Sequence, residues 1–493
     1  MPGYAPQAAF ARSRELFARM EEWLDGPEAA RLEHAALEEQ LAARGREMLR
    51  LLLQDHLDLR AAREPRREQV TGPDGAARTR AEPGHSRPLS TVFGQVEVSR
   101  IAYRAPGARN VHPADAELNL PPGKHSHGLG KQAAAGAARG SFGQARADVA
   151  RQTGSKLGKR QCEQLTRRAA ADFEDFYTSS HRPPPGAAPG DVLALSCDGK
   201  GIVILPGQLR PAAARNARKA VPKQDGRLSR GEVRNRKRMA ETGAVFDFAP
   251  VPRTADAILD PGPRPPAPRA RSKWVTASVA ADAATVVASV FAEADRRDPA
   301  RQRTWIALAD GNIHQIKRIQ AEAAARGITI TIICDFIHVL EYLWTAAWCF
   351  FPEASPDAGP WVRAHAAAIL HGQARHVAAA IRSNITATGQ LTAATRKAAT
   401  RTADYLDAKA PHLDYPQALA AGWPISSGVI EGTCRHLVKD RMDITGARWG
   451  IDTAEAVLKL RALHANGHFD AYWAYHLQRE RQRNHPQRYH LAA

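Results

Sequence analysis

Three carboxylates in this sequence stand where phosphoryl-transfer chemistry would need them. Asp198 follows the apolar run LALSC and precedes Gly199; Asp310 follows WIALA and precedes Gly311; Glu431 lies in SSGVIEGTCRH, where Ser426 or Ser427 can cap the start of a helix. An apolar strand delivers its terminal aspartate to the carboxyl edge of a parallel or mixed sheet, where ligand crevices form. Two such strand ends side by side, with a glutamate from an adjacent helix, make an oxygen-rich cage that repels itself when empty of cations. Two Mg2+ ions about 4 Å apart would neutralise it, activate water or a 3′-hydroxyl, and stabilise the leaving oxygen of an in-line displacement. Singly, each acid has an ordinary reading, because Asp-Gly is a common turn and a helix glutamate often caps or forms a salt bridge. Together, in a basic chain, they point to a metal site.

A fourth aspartate competes for the role. ICDFIHVLEYLW, residues 333–344, ends a run of β-branched residues at Asp335 and sets His338 three positions on, in the first turn of an expected helix. In the strand order expected below Asp310 ends the fourth strand and Asp335 the fifth; a ribonuclease-H arrangement would seat its second metal-binding acid after the fourth, which favours Asp310 and leaves Asp335 and His338 as auxiliaries that orient the site or touch phosphate. The rival set is Asp198, Asp335 and Glu431. An Asp-x-x-His pair does not imply zinc, since no local spacing supplies the further ligands.

The elements that must position these residues follow from apolar periodicity. DVLALSCDGKGIVIL reads as a strand, a tight Asp-Gly turn and the start of a second strand; AVFDFAP (244–250), KWVTASVA (273–280), TWIALADG (304–311) and ITITIICD (328–335) are further strands. Helical patterns separate the last three, cover 338–420 almost entirely, and return after GWPISSGVIEGTCRHLVKDRM. This order predicts an α/β fold: a ribonuclease-H-like catalytic core with a large helical insertion, plus a mainly helical N-terminal DNA-binding region. The core occupies 191–344 with a basic insertion at 210–240, the helical insertion 345–422, the final core helix 423–465, and a C-terminal tail 466–493. Ahead of them stand an amphipathic helical region (1–63, with its leucine pattern over 28–63 interrupted near Gly45), a linker (64–90), and a small strand element with a helix-turn-helix-like pair (91–180). In that pair SFGQARADVARQTG ends at Gly154, and a second helix beginning at Ser155 carries Lys156, Lys159 and Arg160.

Composition narrows the partner. A formal charge of +18, with 69 Lys and Arg against 51 Asp and Glu, favours a polyanion. No apolar run is long enough for a membrane span, the first 30 residues do not read as a signal peptide, and five scattered cysteines suit a reducing cytosol better than a disulfide scaffold. RGEVRNRKRMA offers Arg234, Arg236, Lys237 and Arg238 to DNA backbone. Arg435 and Lys439 follow Glu431 at one and two helical turns, and Arg441, Arg448 and Trp449 are placed to clamp a strand end or stack on a base. A solvated charged loop and a core tryptophan are the plainer readings of the basic stretch and of Trp449.

The stretches CDGKGI, RKRMAETGAVF, EADRRDP, WIALADGNIHQI, CDFIHVLEYLW, GWPISSGVIEGTCRHLVKDRMDITGARWG and AVLKLRAL resemble bacterial insertion-sequence transposases of the DDE type, specifically the Kra-type family related to Mutator-like transposases. The resemblance runs from about residue 91 nearly to the end and is most specific over 423–450. It implies a transposase that cleaves at its own element's terminal inverted repeats and transfers a strand into target DNA. It also implies Asp198, Asp310 and Glu431 as catalytic metal ligands, with Asp335 and His338 as the Asp-x-x-His feature between the second and third acids. Mg2+ is the expected cofactor, with Mn2+ as a substitute; the expected partners are double-stranded DNA and further copies of the chain assembled on it, in the cytoplasm at the nucleoid. The alternatives are a stand-alone ribonuclease-H-like nuclease and a catalytically inactive DNA-binding regulator.

Overall fold

The computed structural model describes residues 9–181, 188, 190–219, 236–259, 266–389, 391–444 and 446–485. Chain contacts divide them into two units, one running up to Ser180 and resuming at Gly467, the other spanning His181–Asn466. No helix among the described residues is long and apolar enough to cross a membrane.

In the first unit the leucine pattern forms the helix His34–Ala62, which runs through Gly45 without a break; the chain turns ahead of it, around Arg31–Glu33. The stretch 64–90, expected as a linker, is ordered. β1 (Val70–Thr71) pairs antiparallel with β2 (Ala77–Arg78), and β3 (Arg80–Thr91) with β4 (Gly94–Arg104). Its polar composition misleads because the charges are used internally: Arg78 is 1% exposed, held by Asp74 and by the carbonyls of Ala76 and Arg109. Helices His127–Arg139, Phe142–Thr153 and Lys159–Ala169 pack on one another. Ser141 caps the second by accepting from the Gln144 N–H, and Gly154, at φ +70°, ends it. The third begins at Lys159 rather than Ser155, because Ser155 is drawn away: its hydroxyl donates to the Thr91 carbonyl and its N–H to Thr153 Oγ1. Within 466–493, the helix Phe469–Asn484 belongs to this unit, where His476 and Arg483 meet the buried Asp172.

The second unit is built on a mixed five-stranded sheet. β5 (Val192–Val203) pairs antiparallel with β6 (Lys237–Phe248), and β6 antiparallel with β7 (Arg271–Ser278). On its other side β5 runs parallel to β8 (Trp305–Ala309), and β8 parallel to β9 (Thr331–Cys334). The order across the sheet is β7-β6-β5-β8-β9. The central strands are continuous apolar runs because both faces are covered; every residue from Trp305 to Ala309 is buried. No turn forms at Asp198-Gly199. β5 continues through them, opposite Thr242 and Glu241, because β6 extends back to Lys237 and gives these residues ladder partners. Gly243 is required where helix Ala283–Arg297 crosses β6, since a Cβ there would lie 2.3 Å from Val290 Cγ2. Helix Ile313–Arg326 links β8 to β9, and Phe336–Phe350 follows β9. The insertion is helical as expected, with Ala358–Leu370, Ala374–Ala387, Ala393–Lys409 and Tyr415–Ala420. Of the basic insertion, residues 220–235, Arg234 among them, lie outside the described residues.

Candidate active site

Strand register brings three acids into one row. In the parallel ladder of β5 and β8, Ser196 stands opposite Leu308, so two residues further on Asp198 falls beside Asp310. Ala309 stands opposite Cys334 in the ladder of β8 and β9, which sets Asp310 beside Asp335. Asp310 and Asp335 lie just past the carboxyl ends of β8 and β9, and Asp198 lies within β5 beside them; their side chains have different surroundings.

Asp198 is half-buried, and burial raises its carboxyl above the usual range. The Gly199 N–H (2.6 Å) and the Cys434 thiol (Sγ to Oδ2, 3.3 Å) oppose that rise, Asp310 adds to it, and His338 offsets it. Asp310 accepts one hydrogen bond, from the Asn312 N–H at 2.8 Å. Both face a cavity of about 390 Å³ also lined by Thr242, Glu241, Gln315 and Arg318. Beside it Gly311 takes φ +92°, and a Cβ there would lie 2.6 Å from Tyr405 Oη.

Asp335 is fully buried and spoken for. It is the N-cap of helix Phe336–Phe350: Oδ1 accepts from the Ile337 N–H (2.7 Å), while Oδ2 accepts from both the Ser427 N–H (2.8 Å) and the Ser427 hydroxyl. Of the two serines that could cap the Glu431 helix, Gly428–Thr433, Ser427 stands at the N-cap position; its hydroxyl makes no capping bond there but joins that helix to Asp335 and approaches Glu431 Oε1 at 3.4 Å. His338 is half-buried; burial lowers its pKa, but its Nδ1 contact with Glu341 (3.0 Å) and the charges of Asp335 and Asp310 leave it raised.

One ligand atom each of Asp335, His338 and Glu431 lies within 4.8 Å of the others, a grouping that differs from the trio selected by sequence. Its donor set suits a hard cation poorly. Asp335 has three of its roughly four lone-pair sites engaged, and Mg2+ favours oxygen over imidazole nitrogen. Among the described residues Asp198 accepts one hydrogen bond on each oxygen, Asp310 one on Oδ1 and the exposed Glu431 one on Oε1, so each keeps lone pairs for a cation. Glu431 is tied to the Asp198 side through Cys434, three residues on, whose thiol contacts both Asp198 and Thr242 Oγ1 (3.1 Å). Burial pushes that thiol up to about 12, so it stays a donor.

Sequence reasoning missed Cys434, Tyr405 and Glu241 as site residues, and named Ser427 as a cap without its bonds to Asp335. Only Cys434 carried a legible signal, its i+3 spacing from Glu431. Around Tyr405, burial with Cys334, Tyr342, Asp310 and Asp335 nearby raises the phenol well above its ordinary value.

The expected DNA contacts divide. Lys156, Lys159 and Arg160 are exposed at the start of the third packed helix, as are Lys237, Arg435, Lys439 and Arg448, and Arg236 is partly so. The chain widens to a π-helical turn over Cys434–Lys439, which breaks the spacing that aligned Lys439 with Glu431. Arg238 is committed elsewhere, donating to the Val279 (2.7 Å) and Ala280 (3.0 Å) carbonyls. Trp449 takes the plainer of its two readings, as core, and Arg441 departs from the expected role. Trp449 is 5% exposed and extends the edge of β5 through backbone bonds to Val203 and Leu205, with its indole N–H donated to Met442 O; Arg441 is 4% exposed, its guanidinium 4.7 Å from the Trp449 ring centre. Their apolar and planar surfaces are consumed as core, so neither can clamp or stack on DNA.

No family model matches the chain, and no curated protein matches it.

Proposed function

We propose that the chain is a DNA strand-transfer enzyme with a ribonuclease-H-like core, a transposase of the DDE type, acting on its own element's terminal inverted repeats and on target DNA. What supports the fold reading is the sheet order β7-β6-β5-β8-β9, antiparallel over the first three strands and parallel over the last three. The observation that carries the activity is the juxtaposition of Asp198 and Asp310 on neighbouring parallel strands, with the Glu431 helix held to Asp198 through Cys434. A binding module has no need of acids gathered side by side in a basic chain, whereas phosphoryl transfer does.

The open carboxylates of Asp198, Asp310 and Glu431 would hold Mg2+ or Mn2+, which when bound supplies charge neutralisation at the phosphate and a more acidic attacking hydroxyl. The protein's own residues do the positioning. Gly199 and Cys434 fix the Asp198 carboxylate, Asn312 fixes Asp310, and Asp335 with Ser427 locks the Glu431 helix to the end of β9. Exposed Lys237, Arg435 and Arg448 would receive DNA backbone, and Lys156, Lys159 and Arg160 the element end. On this reading the protein works on DNA in the cytoplasm, assembled as more than one copy on the paired ends.

The test uses labelled duplex carrying the DNA that flanks the coding sequence, incubated with Mg2+ or Mn2+ and a target plasmid. Joined product is expected, and Asp198→Asn, Asp310→Asn and Glu431→Gln should each abolish it while retaining end binding. Cleavage without joining would make the protein a nuclease, and binding alone a regulator. An active Asp310→Asn beside a folded, inactive Asp335→Asn would move the metal to Asp198, Asp335 and Glu431.

A further inference from the structure

We propose that Tyr405 is a substrate-contacting residue of this site, its phenol hydroxyl donating a hydrogen bond to a non-bridging phosphate oxygen of the nucleic-acid strand held at Asp310. The inference rests on the phosphoryl-transfer reading above. It starts from a hydroxyl that lacks a partner: Tyr405 Oη is buried and makes no hydrogen bond among the described residues. Leaving such a group without a partner destabilises the fold, a cost that a phenylalanine at the same place would avoid.

Its direction is fixed by the neighbours. Tyr405 lies in helix Ala393–Lys409, within the insertion, yet it reaches the end of β8: a Cβ on Gly311 would stand 2.6 Å from Oη and 2.9 Å from Cε2. The residue after Asp310 is therefore held to glycine both by φ +92° and by the space the phenol occupies. The ring cannot easily swing away. It stacks on Tyr342 with centroids 3.9 Å apart and planes 12° from parallel, and Thr402, one turn earlier in the same helix, donates its hydroxyl to the Tyr342 carbonyl at 3.1 Å. Arg401 sets its guanidinium 5.9 Å from the Tyr342 ring centre, an exposed cation beside the stack.

A rigid, preorganised donor with nothing to donate to, set against the acid row, is the arrangement that favours charge developing in a transition state. The acceptor that phosphoryl transfer brings to that row is a phosphate oxygen. Among the described residues no carboxylate serves as its partner: Oη makes no hydrogen bond to Asp310 or Asp335, although both lie close enough to raise the phenol's pKa.

Tyr405→Phe, which removes one oxygen, is the test, with thermal unfolding and Mn2+-dependent cleavage of labelled duplex measured side by side with the unaltered protein. The melting temperature should stay level or rise, while kcat/KM falls on the order of ten- to hundred-fold, the effect of losing a hydrogen bond to a charged group. A melting temperature lowered by several degrees would show that the hydroxyl serves the fold, and kcat/KM within twofold would show that it touches nothing that matters; either overturns the proposal while leaving the transposase reading intact. An unaltered protein that cleaves nothing would remove both.

Discussion

Asparagine at position 335 separates a structural aspartate from a metal ligand. Asp335 is fully buried and accepts from the Ile337 N–H, the Ser427 N–H and the Ser427 hydroxyl. Asparagine keeps one acceptor oxygen. If that oxygen faces Ile337, the amide NH2 confronts the Ser427 N–H; if it is flipped, the cap on helix Phe336–Phe350 is lost instead. Either way two donors oppose each other in a dry site. Hydrogen bonds to a charged group contribute roughly 1.5–3 kcal/mol each, and Ser427 Oγ can turn toward Glu431, so the net cost is about 3–5 kcal/mol. For a unit of this size that is a fall of roughly 6–15 °C in melting temperature. Asp310→Asn is the control. It retains the acceptor for the Asn312 N–H, stays half-buried, and relieves the repulsion that helps raise Asp198, so its melting point should stay within about 2 °C of the parent or rise. Circular dichroism melts of the two variants, with cleavage assayed on the same preparations, give the comparison. An Asp335→Asn protein that melts like the parent but cannot cleave would refute the reasoning, since its carboxylate would then be needed for chemistry and not for the fold.

Two further outcomes follow from the same geometry. Glu293 has no exposure; burial would raise its carboxyl, but His181, Arg297 and Arg296 hold it at about 2 against an ordinary 4.5. A folded-state pKa below the unfolded one gives stability that is full above pH 4.5 and lost as pH falls toward 2. Denaturant unfolding should therefore lose on the order of 3 kcal/mol across that window, and Glu293→Gln should flatten the loss; an unchanged pH slope in the variant would contradict it. Arg238 and Lys237 should part company. Arg238→Ala removes two bonds to backbone carbonyls and should cost about 1–2 kcal/mol of stability, whereas Lys237→Ala, whose contact is an exposed 3.5 Å pair with Asp443, should leave the melt unchanged and reduce the salt dependence of DNA binding. Equal melts for the two variants would undo that distinction.

The strands β8 and β9 were legible because a parallel strand covered on both faces is a nearly continuous apolar run, as WIALA and the IIC of TIIC are. β5 was misread at Asp198-Gly199 because turn propensity is local while the ladder that overrides it is supplied by Thr242 and Glu241, far along the chain. The stretch 64–90 failed for a related reason: an arginine looks like solvent-facing linker until Asp74 and two carbonyls are seen to enclose it. Trp449 stayed open between two readings and Arg441 was misplaced, since an aromatic beside a cation reads the same whether the pair waits for DNA or closes the edge of β5.

The acid row shows why the site itself was only half legible. Asp310 and Asp335 both end apolar strands, and register puts them side by side, so neither periodicity nor spacing can rank them. They differ in what reaches their oxygens. Ser427, brought in from the far side of the helical insertion, takes two of Asp335's acceptor sites, while among the described residues the one hydrogen bond to Asp310 comes from its own neighbour Asn312. A carboxylate that holds three elements together cannot also release its lone pairs to a cation without loosening them, and one with a single local bond can. The division of labour between fold and chemistry therefore rests on contacts across long stretches of chain: Ser427 makes Asp335 the lock, and its absence from Asp310 leaves that acid open to the cavity it shares with Asp198.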